Sequence, residues 1–322
     1  MSADPKNLIE IPPVPELVMR RTFDAPRALV FKAWLEPRHL AAWWGPTVFT
    51  NPVCEADGRP GGVLNIIMQG PDGKRYPCGG QFYEIEEPRR LTLGTWAEDA
   101  EGRVLENHIE VLLEERDGKT EQTVKVNLVM ATPRSKPFVA GMRQGWNQSL
   151  DKLGAYVRNG IPLFSVARVF KAPRELVFKV HTDPFHLAKW FGPAGTTVIK
   201  ADMDLRPGGT YHYGLRMPDG AEMWGRQVFR EVTAPEKLVL VQSFSDSKGG
   251  ITRHPMAATW PLEMLATTTF DDLGGGDTAL TISWEPLNAT PEEIATFDHA
   301  RAGMDGGFKG TLDALEAYLA TL

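Results

Sequence analysis

Acid–base chemistry in this chain would have to come from three pairs of side chains at matching positions. His39 and His186 each precede two adjacent aromatics, in His39-Leu40-Ala41-Ala42-Trp43-Trp44 and His186-Leu187-Ala188-Lys189-Trp190-Phe191. Histidine exchanges protons near neutral pH. Each of these, however, lies one turn before an aromatic on a short helix, a place that suits a surface or supporting role. Asp57 and Asp204 stand just before Pro-Gly-Gly, where a turn-forming aspartate accounts for them without chemistry. Glu84 and Glu231 match on exposed strand faces. His212 falls on the strand face opposite Tyr211 and Tyr213. His108, His181, His254 and His299 recur at no matching position and show no metal spacing. Cys54 and Cys78 make neither a disulfide framework nor a metal motif, so two reduced thiols in strands are expected. The sequence has no Gly-x-Ser-x-Gly elbow, no phosphate-cradling loop and no carboxylate pair of the required kind. It assigns no catalytic residue, no metal and no cofactor.

The aromatic and methionine side chains are more informative. Trp43, Trp44, Met68, Trp96, Met142 and Trp146 in the first half could line an adaptable apolar pocket. So could Trp190, Phe191, Tyr211, Tyr213, Trp224, Met304 and Phe308 in the second. Plain core packing is the alternative. A small hydrophobic molecule is therefore the expected partner. With 322 residues and a formal net charge of −6, the chain lacks the Lys/Arg cluster that marks a nucleic-acid face. Membrane insertion is not expected either, because no apolar run approaches the roughly 20 residues needed to span a bilayer. The N-terminal MSADPKNLIEIPPVPEL has no basic region followed by an apolar block, so no signal peptide is read there. A cytoplasmic protein is the expectation.

The elements that would position these side chains occur twice. Arg21 to Lys32 (RTFDAPRALVFK) returns as Arg168 to Lys179 (RVFKAPRELVFK), an offset of 147. The same offset carries Trp43 to Trp190, Pro60-Gly61-Gly62 to Pro207-Gly208-Gly209, and Pro71-Asp72-Gly73 to Pro218-Asp219-Gly220. It grows to 162 by Met142 and Met304, or Leu153 and Leu315, so the second copy carries about 15 extra residues, expected in loops. So long a period makes each copy a whole domain, over 14–159 and 163–322, with the break near Asn159-Gly160-Ile161-Pro162.

In each copy a strand (Glu16 to Phe23, Phe164 to Phe170) leads to Ala-Pro and a short helix. Glu36-Pro37 or Asp183-Pro184 then opens a second, with Asp183 a good cap. Alternating residues follow: Leu64, Ile66 and Met68 share one face, as do Tyr211, Tyr213 and Leu215. Hairpin turns and further strands imply an antiparallel meander. Each copy ends in one long helix, with stripes of Phe138, Met142, Trp146, Leu150, Leu153, Val157 and of Ile294, Phe297, Met304, Phe308, Leu312, Leu315, Leu319. Thr290-Pro291-Glu292-Glu293 forms a capping box for the second. Glycines at 141, 145, 154, 303, 306, 307 and 310 weaken these helices. Close packing on the sheet is the favoured explanation, and room for a ligand is the other.

This order of elements and motifs resembles the SRPBCC superfamily, which includes START domains and the birch-pollen allergen. The nearest match is the branch similar to the C-terminal domain of the activator of heat-shock-protein-90 ATPase. The residues that carry it are Ala25-Pro26, Trp43-Trp44-Gly45-Pro46, Asp57 with Pro60-Gly61-Gly62, and Met68 with Pro71-Asp72-Gly73. Gly80-x-Phe82-x-Glu84-Ile85, Pro88 with Leu91, and Gly145-Trp146 with Leu150 and Leu153 complete the set. The second copy departs from it at Gln227, against Gly80, and at Gly307-Phe308, against Gly145-Trp146. The resemblance implies an α+β architecture of two tandem helix-grip domains, each a curved antiparallel sheet wrapped around a long C-terminal helix, with two short helices after the first strand. It also implies a hydrophobic cavity between helix and sheet in one or both domains, reshaped in the second by Gln227 and Phe308.

Ligand binding without defined catalysis is the leading expectation. A cyclase or dehydratase using a pocket His or Tyr is the first alternative, and an ATPase-activating co-chaperone the second. A chaperone partner is not expected, because the activator's Asn-x-Asn-x-Trp-His-Trp signature is absent here. Packing of the two domains on each other is a further expectation.

Overall fold

The computed structural model describes residues 16–193 and 195–322. The N-terminal stretch read for a leader, and the domain start at 14, lie outside the described residues. The chain divides into two compact units, Met1–Leu163 and Phe164–Leu322.

The first unit runs β1 (Leu17–Phe23), α1 (Arg27–Leu35), α2 (Pro37–Trp43), β2 (Thr50–Ala56), β3 (Val63–Gln69), β4 (Arg75–Glu86), β5 (Arg90–Asp99), β6 (Gly102–Arg116), β7 (Lys119–Ala131) and α3 (Lys136–Asn159). All neighbouring strands are antiparallel, in the order β1-β7-β6-β5-β4-β3-β2. Strand alternation puts Leu64, Ile66, Phe82, Leu91, Leu93, Ile109, Val111, Val124 and Val126 in one core. Leu150, Leu153 and Val157 of α3 close it from the other side. Pro37 starts α2 where a helix tolerates the lost N–H. Gly45 ends the aromatic pair at φ +83°, a conformation that favours glycine. The Pro-Gly-Gly turn is equally strict: a Cβ on Gly62 would sit 1.9 Å from the Asp57 carbonyl oxygen.

The first unit's interior is keyed by Trp34. Fully buried, its Nε1–H donates to Gln122 Oε1 at 2.8 Å, tying α1 to β7. A second link ties β7 to the turn before α1, Thr120 Oγ1 donating to the Ala25 carbonyl at 2.7 Å.

The second unit repeats the plan: β8 (Phe164–Phe170), α4 (Arg174–Thr182), α5 (Pro184–Trp190), β9 (Thr197–Met203), β10 (Thr210–Arg216), β11 (Glu222–Thr233), β12 (Lys237–Ser245), β13 (Ile251–Thr252), β14 (Glu263–Gly274), β15 (Asp277–Leu287), α6 (Pro291–His299) and α7 (Arg301–Leu319). The order is β8-β15-β14-β12-β11-β10-β9, with β13 added beside β12. Asp183 caps α5 by accepting from the Phe185 N–H at 2.9 Å.

Two expectations are corrected. The second unit does not end in one helix, because α6 and α7 part at Ala300. The expected capping box is present at Thr290 and Glu293, but α6 is then held by the inserted segment 246–262. Thr259 Oγ1 lies 2.9 Å from Thr296 Oγ1, Trp260 packs 5.6 Å from Phe297, and Arg253 pairs with Glu293. Those contacts fall on α6 alone, before the break at Ala300. Close packing explains only one of the helix glycines: a Cβ on Gly154 would meet Phe23 at 3.3 Å. At Gly141, Gly303, Gly306, Gly307 and Gly310 nothing lies within 4 Å.

Replacing Gln122 by leucine would leave the Trp34 N–H buried without a partner. Gln122→Leu is expected to lower the first unit's unfolding free energy by about 1–3 kcal/mol, measured by urea titration followed by circular dichroism.

Candidate functional site

In the first unit a cavity of about 310 Å³ lies between the sheet and the N-terminal half of α3. The turn after α2 contributes Trp44, Gly45 and Pro46, β3 contributes Met68, and β4 to β6 contribute Tyr76–Cys78, Thr95–Glu98, Leu105 and Asn107. The helix side carries Phe138, Met142 and Trp146. It is bare in between: a Cβ on Gly141 would meet nothing, and one on Gly145 only Pro46, at 3.7 Å. Helix backbone is thus exposed to whatever enters.

Four tryptophans pack together at its inner end, of which Trp44 and Trp146 reach the lining. Trp34 lies 4.7 Å from Trp43, 6.4 Å from Trp44 and 6.3 Å from Trp146 between ring centroids, and Trp44 meets Trp146 at 5.7 Å. Of the residues singled out from sequence, Trp44, Met68, Met142 and Trp146 come together on the cavity. Trp43 does not line it. Its indole is fully buried beneath, donating to the Ala33 carbonyl at 2.8 Å. Trp96 borders the cavity, but its ring is turned from it. It lies flat across Gly79, where a Cβ would sit 2.2 Å away, and the Arg103 guanidinium stacks on it at 3.9 Å. Strand alternation sends Trp96 to the face opposite Thr95 and Ala97.

The polar groups around this cavity are few. Asn107 Oδ1 is buried and has no hydrogen-bond partner among the described residues. Burial pushes the Cys78 thiol up to about 12, so it is a protonated, unreactive thiol. Glu98 is half exposed and faces Arg103 at 3.7 Å. Among the described residues no group of three or more His, Cys, Asp or Glu could hold a metal ion, and no helix is long and apolar enough to cross a membrane.

One residue that orders the site escaped the sequence reading. Lys152 of α3 is 4% exposed, and its Nζ lies 3.2 Å from the carbonyl oxygen of Trp44, 3.3 Å from those of Gly45 and Pro46, and 3.0 Å from that of Phe49. Burial pulls its pKa down to about 7. The surrounding carbonyl dipoles act the other way and favour the ammonium. The available signal was a lysine beside Leu153 on an otherwise buried face, matched by Ala314 in the second copy.

The matched histidines are structural ties. His39 Nδ1 lies 2.5 Å from the Tyr156 hydroxyl, and His186 Nδ1 lies 2.7 Å from that of Tyr318. Each fixes a short helix to the final one. His212 turns away from the interior, its Nε2 3.1 Å from the Asp246 carbonyl oxygen.

The second unit's cavity is smaller, about 100 Å³. Trp190, Phe191, Tyr211 and Phe308 line it. Tyr213 lies beside it, stacked on Tyr211 at 5.1 Å and covering Gly225, where a Cβ would sit 2.2 Å away. Met304 lies outside the lining, half-buried on α7. Trp224 is on the opposite sheet face, packed on Gly214 and 5.5 Å from His212. Alternation along β11 puts it one residue out of phase with the inward Gly225. His181, passed over because no histidine matches it, also lines the cavity. It stands at the position of Trp34. Burial pushes its imidazole down to about 4.

An antiparallel sheet gripping a C-terminal helix, with a cavity between them, defines a helix-grip protein, here in two tandem copies. The chain belongs to the family described as Activator of Hsp90 ATPase homolog 1-like protein, which matches residues 24–158 and 171–320. Similar solved structures include a protein of Nitrosomonas europaea, 24% identical over 45% of this chain and 95% of that one, with a TM-score of 0.39. A protein of Arthrobacter aurescens is 25% identical over 49% and 90%, with a TM-score of 0.41. The AHSA1 protein of Silicibacter pomeroyi is 22% identical over 45% and 98%, with a TM-score of 0.39. Comparison with curated proteins returns no match.

Lys152→Ala is expected to destabilise the first unit by about 1–3 kcal/mol, since the Gly45 and Phe49 carbonyls lose this donor, while those of Trp44 and Pro46 keep Asn51 Nδ2 and the Phe49 N–H, and the stem leaves a gap. It should also red-shift tryptophan emission as Trp44 loosens. In the second unit, His181 takes its proton near 6.5 when unfolded but only near about 4 when folded. The unfolded chain therefore binds more protons between those values, and stability falls as pH drops through that window. Denaturant midpoints measured across it should show the fall, and His181→Phe should remove that part.

Proposed function

We propose that the protein binds a small apolar or aromatic molecule in the cavity of its first unit. One observation carries this reading: a cavity of about 310 Å³ walled by Trp44, Trp146, Met68 and Met142 faces bare helix backbone at Gly141 and Gly145. Ligand pockets generally start at about 300 Å³ and combine an apolar lining with a few polar groups. Here Asn107 Oδ1 is the buried acceptor that would orient a ligand bearing one donor. Binding is favoured over turnover because no histidine lines this cavity and its thiol, amide and carboxylate are poor partners for proton exchange. Cys78 is held protonated by burial, Asn107 does not titrate, and the Glu98 carboxylate is engaged with Arg103.

Naphthalene is a suitable probe, because stacking on Trp44 or Trp146 changes indole emission. Saturable quenching and a raised melting temperature for the first unit are expected. Gly141→Leu should fill the cavity from the helix side and weaken naphthalene binding at least tenfold. The folded unit should be no less stable, since leucine suits a helix better than glycine by roughly 0.5–1 kcal/mol. Equal binding by Gly141→Leu and the parent protein would put the ligand elsewhere.

A further inference from the structure

Strand register makes the buried faces of the two units comparable residue by residue. Arg21 pairs with Gln122 and Arg168 with Leu280, so Leu280 stands where Gln122 does. Leu64 pairs with Gly80 and Gly80 with Thr95; Tyr211 pairs with Gln227 and Gln227 with Gln242. Leucine, glycine and threonine in one unit thus become tyrosine and two glutamines in the other. The residue above them changes from Trp34 to His181. His181, Tyr211, Gln227 and Gln242 all line the second cavity.

Two of these side chains end in buried polar atoms with no protein partner. His181 Nδ1 lies 2.8 Å from the Val177 carbonyl oxygen, which can only accept, so Nδ1 carries the proton and Nε2 offers a lone pair. That Nε2 is sealed from solvent and has no partner among the described residues. Tyr211 is 1% exposed, and its hydroxyl is likewise without one. Buried polar atoms are nearly always hydrogen-bonded. In the first unit the corresponding indole N–H has Gln122, whereas leucine in its place cannot serve His181.

We infer that the second unit's cavity is a binding site for a compact neutral alcohol or phenol, with His181 Nε2 accepting from the ligand, the Tyr211 hydroxyl donating to it, and Phe229, Leu240 and Leu312 holding its apolar body. Neutrality follows from the floor: the imidazole is uncharged at neutral pH and no acid or base faces it to balance an ion. Size follows from the volume. About 100 Å³ is two-thirds of the roughly 150 Å³ of an engineered cavity that takes benzene, so a short alcohol fits the cavity as it stands and a phenol ring enters only as the walls give way. This site is separate from the one under Proposed function and takes a different chemistry.

Phenol and toluene, alike in size but not in hydrogen bonding, test it on the full chain. With histidine labelled by nitrogen-15, the Nε2 resonance absent in His181→Phe identifies His181. Phenol is expected to shift that resonance saturably, and toluene to bind at least tenfold more weakly. Tyr211→Phe should weaken phenol about three- to tenfold while leaving naphthalene binding in the first unit unchanged and the unliganded melting temperature equal or higher. A His181 resonance that phenol does not move, or equal binding of phenol and toluene, means that water alone serves the two atoms, and overturns the inference. Loss of naphthalene binding with the phenol shift intact would remove only the first-unit reading.

Discussion

The contact on which the first unit's interior depends is the indole of Trp34, held by its N–H to Gln122. A buried indole contributes a large apolar area but must find a partner for one donor. By meeting that need on β7, Trp34 fixes α1 over the sheet and gives Trp43, Trp44 and Trp146 a surface to pack against. The middle of the gap between helix and sheet is thereby full. What space remains is displaced towards the ends of β4 to β6 and the glycines of α3, where the large cavity lies. In the second unit an imidazole replaces the indole. Space then opens over Phe229, Leu238 and Leu240, whose counterparts Phe82, Leu91 and Leu93 are core in the first. The exchange of indole for imidazole is thus one of the differences that go with where each unit is hollow.

The turn that carries Trp44 rests on a different kind of force. The turn after α2 directs the carbonyls of Trp44, Gly45, Pro46 and Phe49 towards α3. An ammonium with three donors satisfies several at once, and Lys152 does so with four carbonyls within 3.3 Å. The favourable field of those dipoles offsets the cost of burying the charge, which is why the lysine is tolerated 4% exposed. The second unit has Ala314 there and no ammonium at its turn, whose Gly192 carbonyl lies 3.4 Å from Thr311 Oγ1.

Much of the fold was legible because it is written in local signals. Ala-Pro, Asp183-Pro184, the paired turns and the alternation of Leu64, Ile66 and Met68 each depend on a few neighbouring residues, and each element stands where they put it. Trp96 borders its cavity and Trp224 stands away from its own for a non-local reason. The face a strand residue takes depends on register with its neighbours, and both indoles went to the face where a glycine across the ladder, Gly79 or Gly214, gives a ring room. The break at Ala300 has no breaker in the sequence, and the contacts of Trp260 and Thr259 with α6 come from a distant segment that local signals do not reveal. His181 was passed over because matching histidines were sought. Its meaning lies in a mismatch, a histidine where the other copy has tryptophan.

That mismatch belongs to a pattern. The ties that set the frame are kept in both copies: histidine to tyrosine between short and long helix, and threonine to the alanine carbonyl at Ala25 or Ala172. The inward positions of the central strands are the ones that changed, from Leu64, Gly80 and Thr95 to Tyr211, Gln227 and Gln242. Because side chains alternate across a sheet, such exchanges alter one face and leave the ladder of backbone hydrogen bonds intact. A duplicated frame can therefore keep its register while its interior moves from an indole-filled, apolar state to a smaller polar one. Stability alone would not favour that direction, since each buried hydroxyl or imidazole nitrogen without a partner is a cost. Groups that weaken the empty fold and yet line a cavity are what selection for a bound molecule would retain.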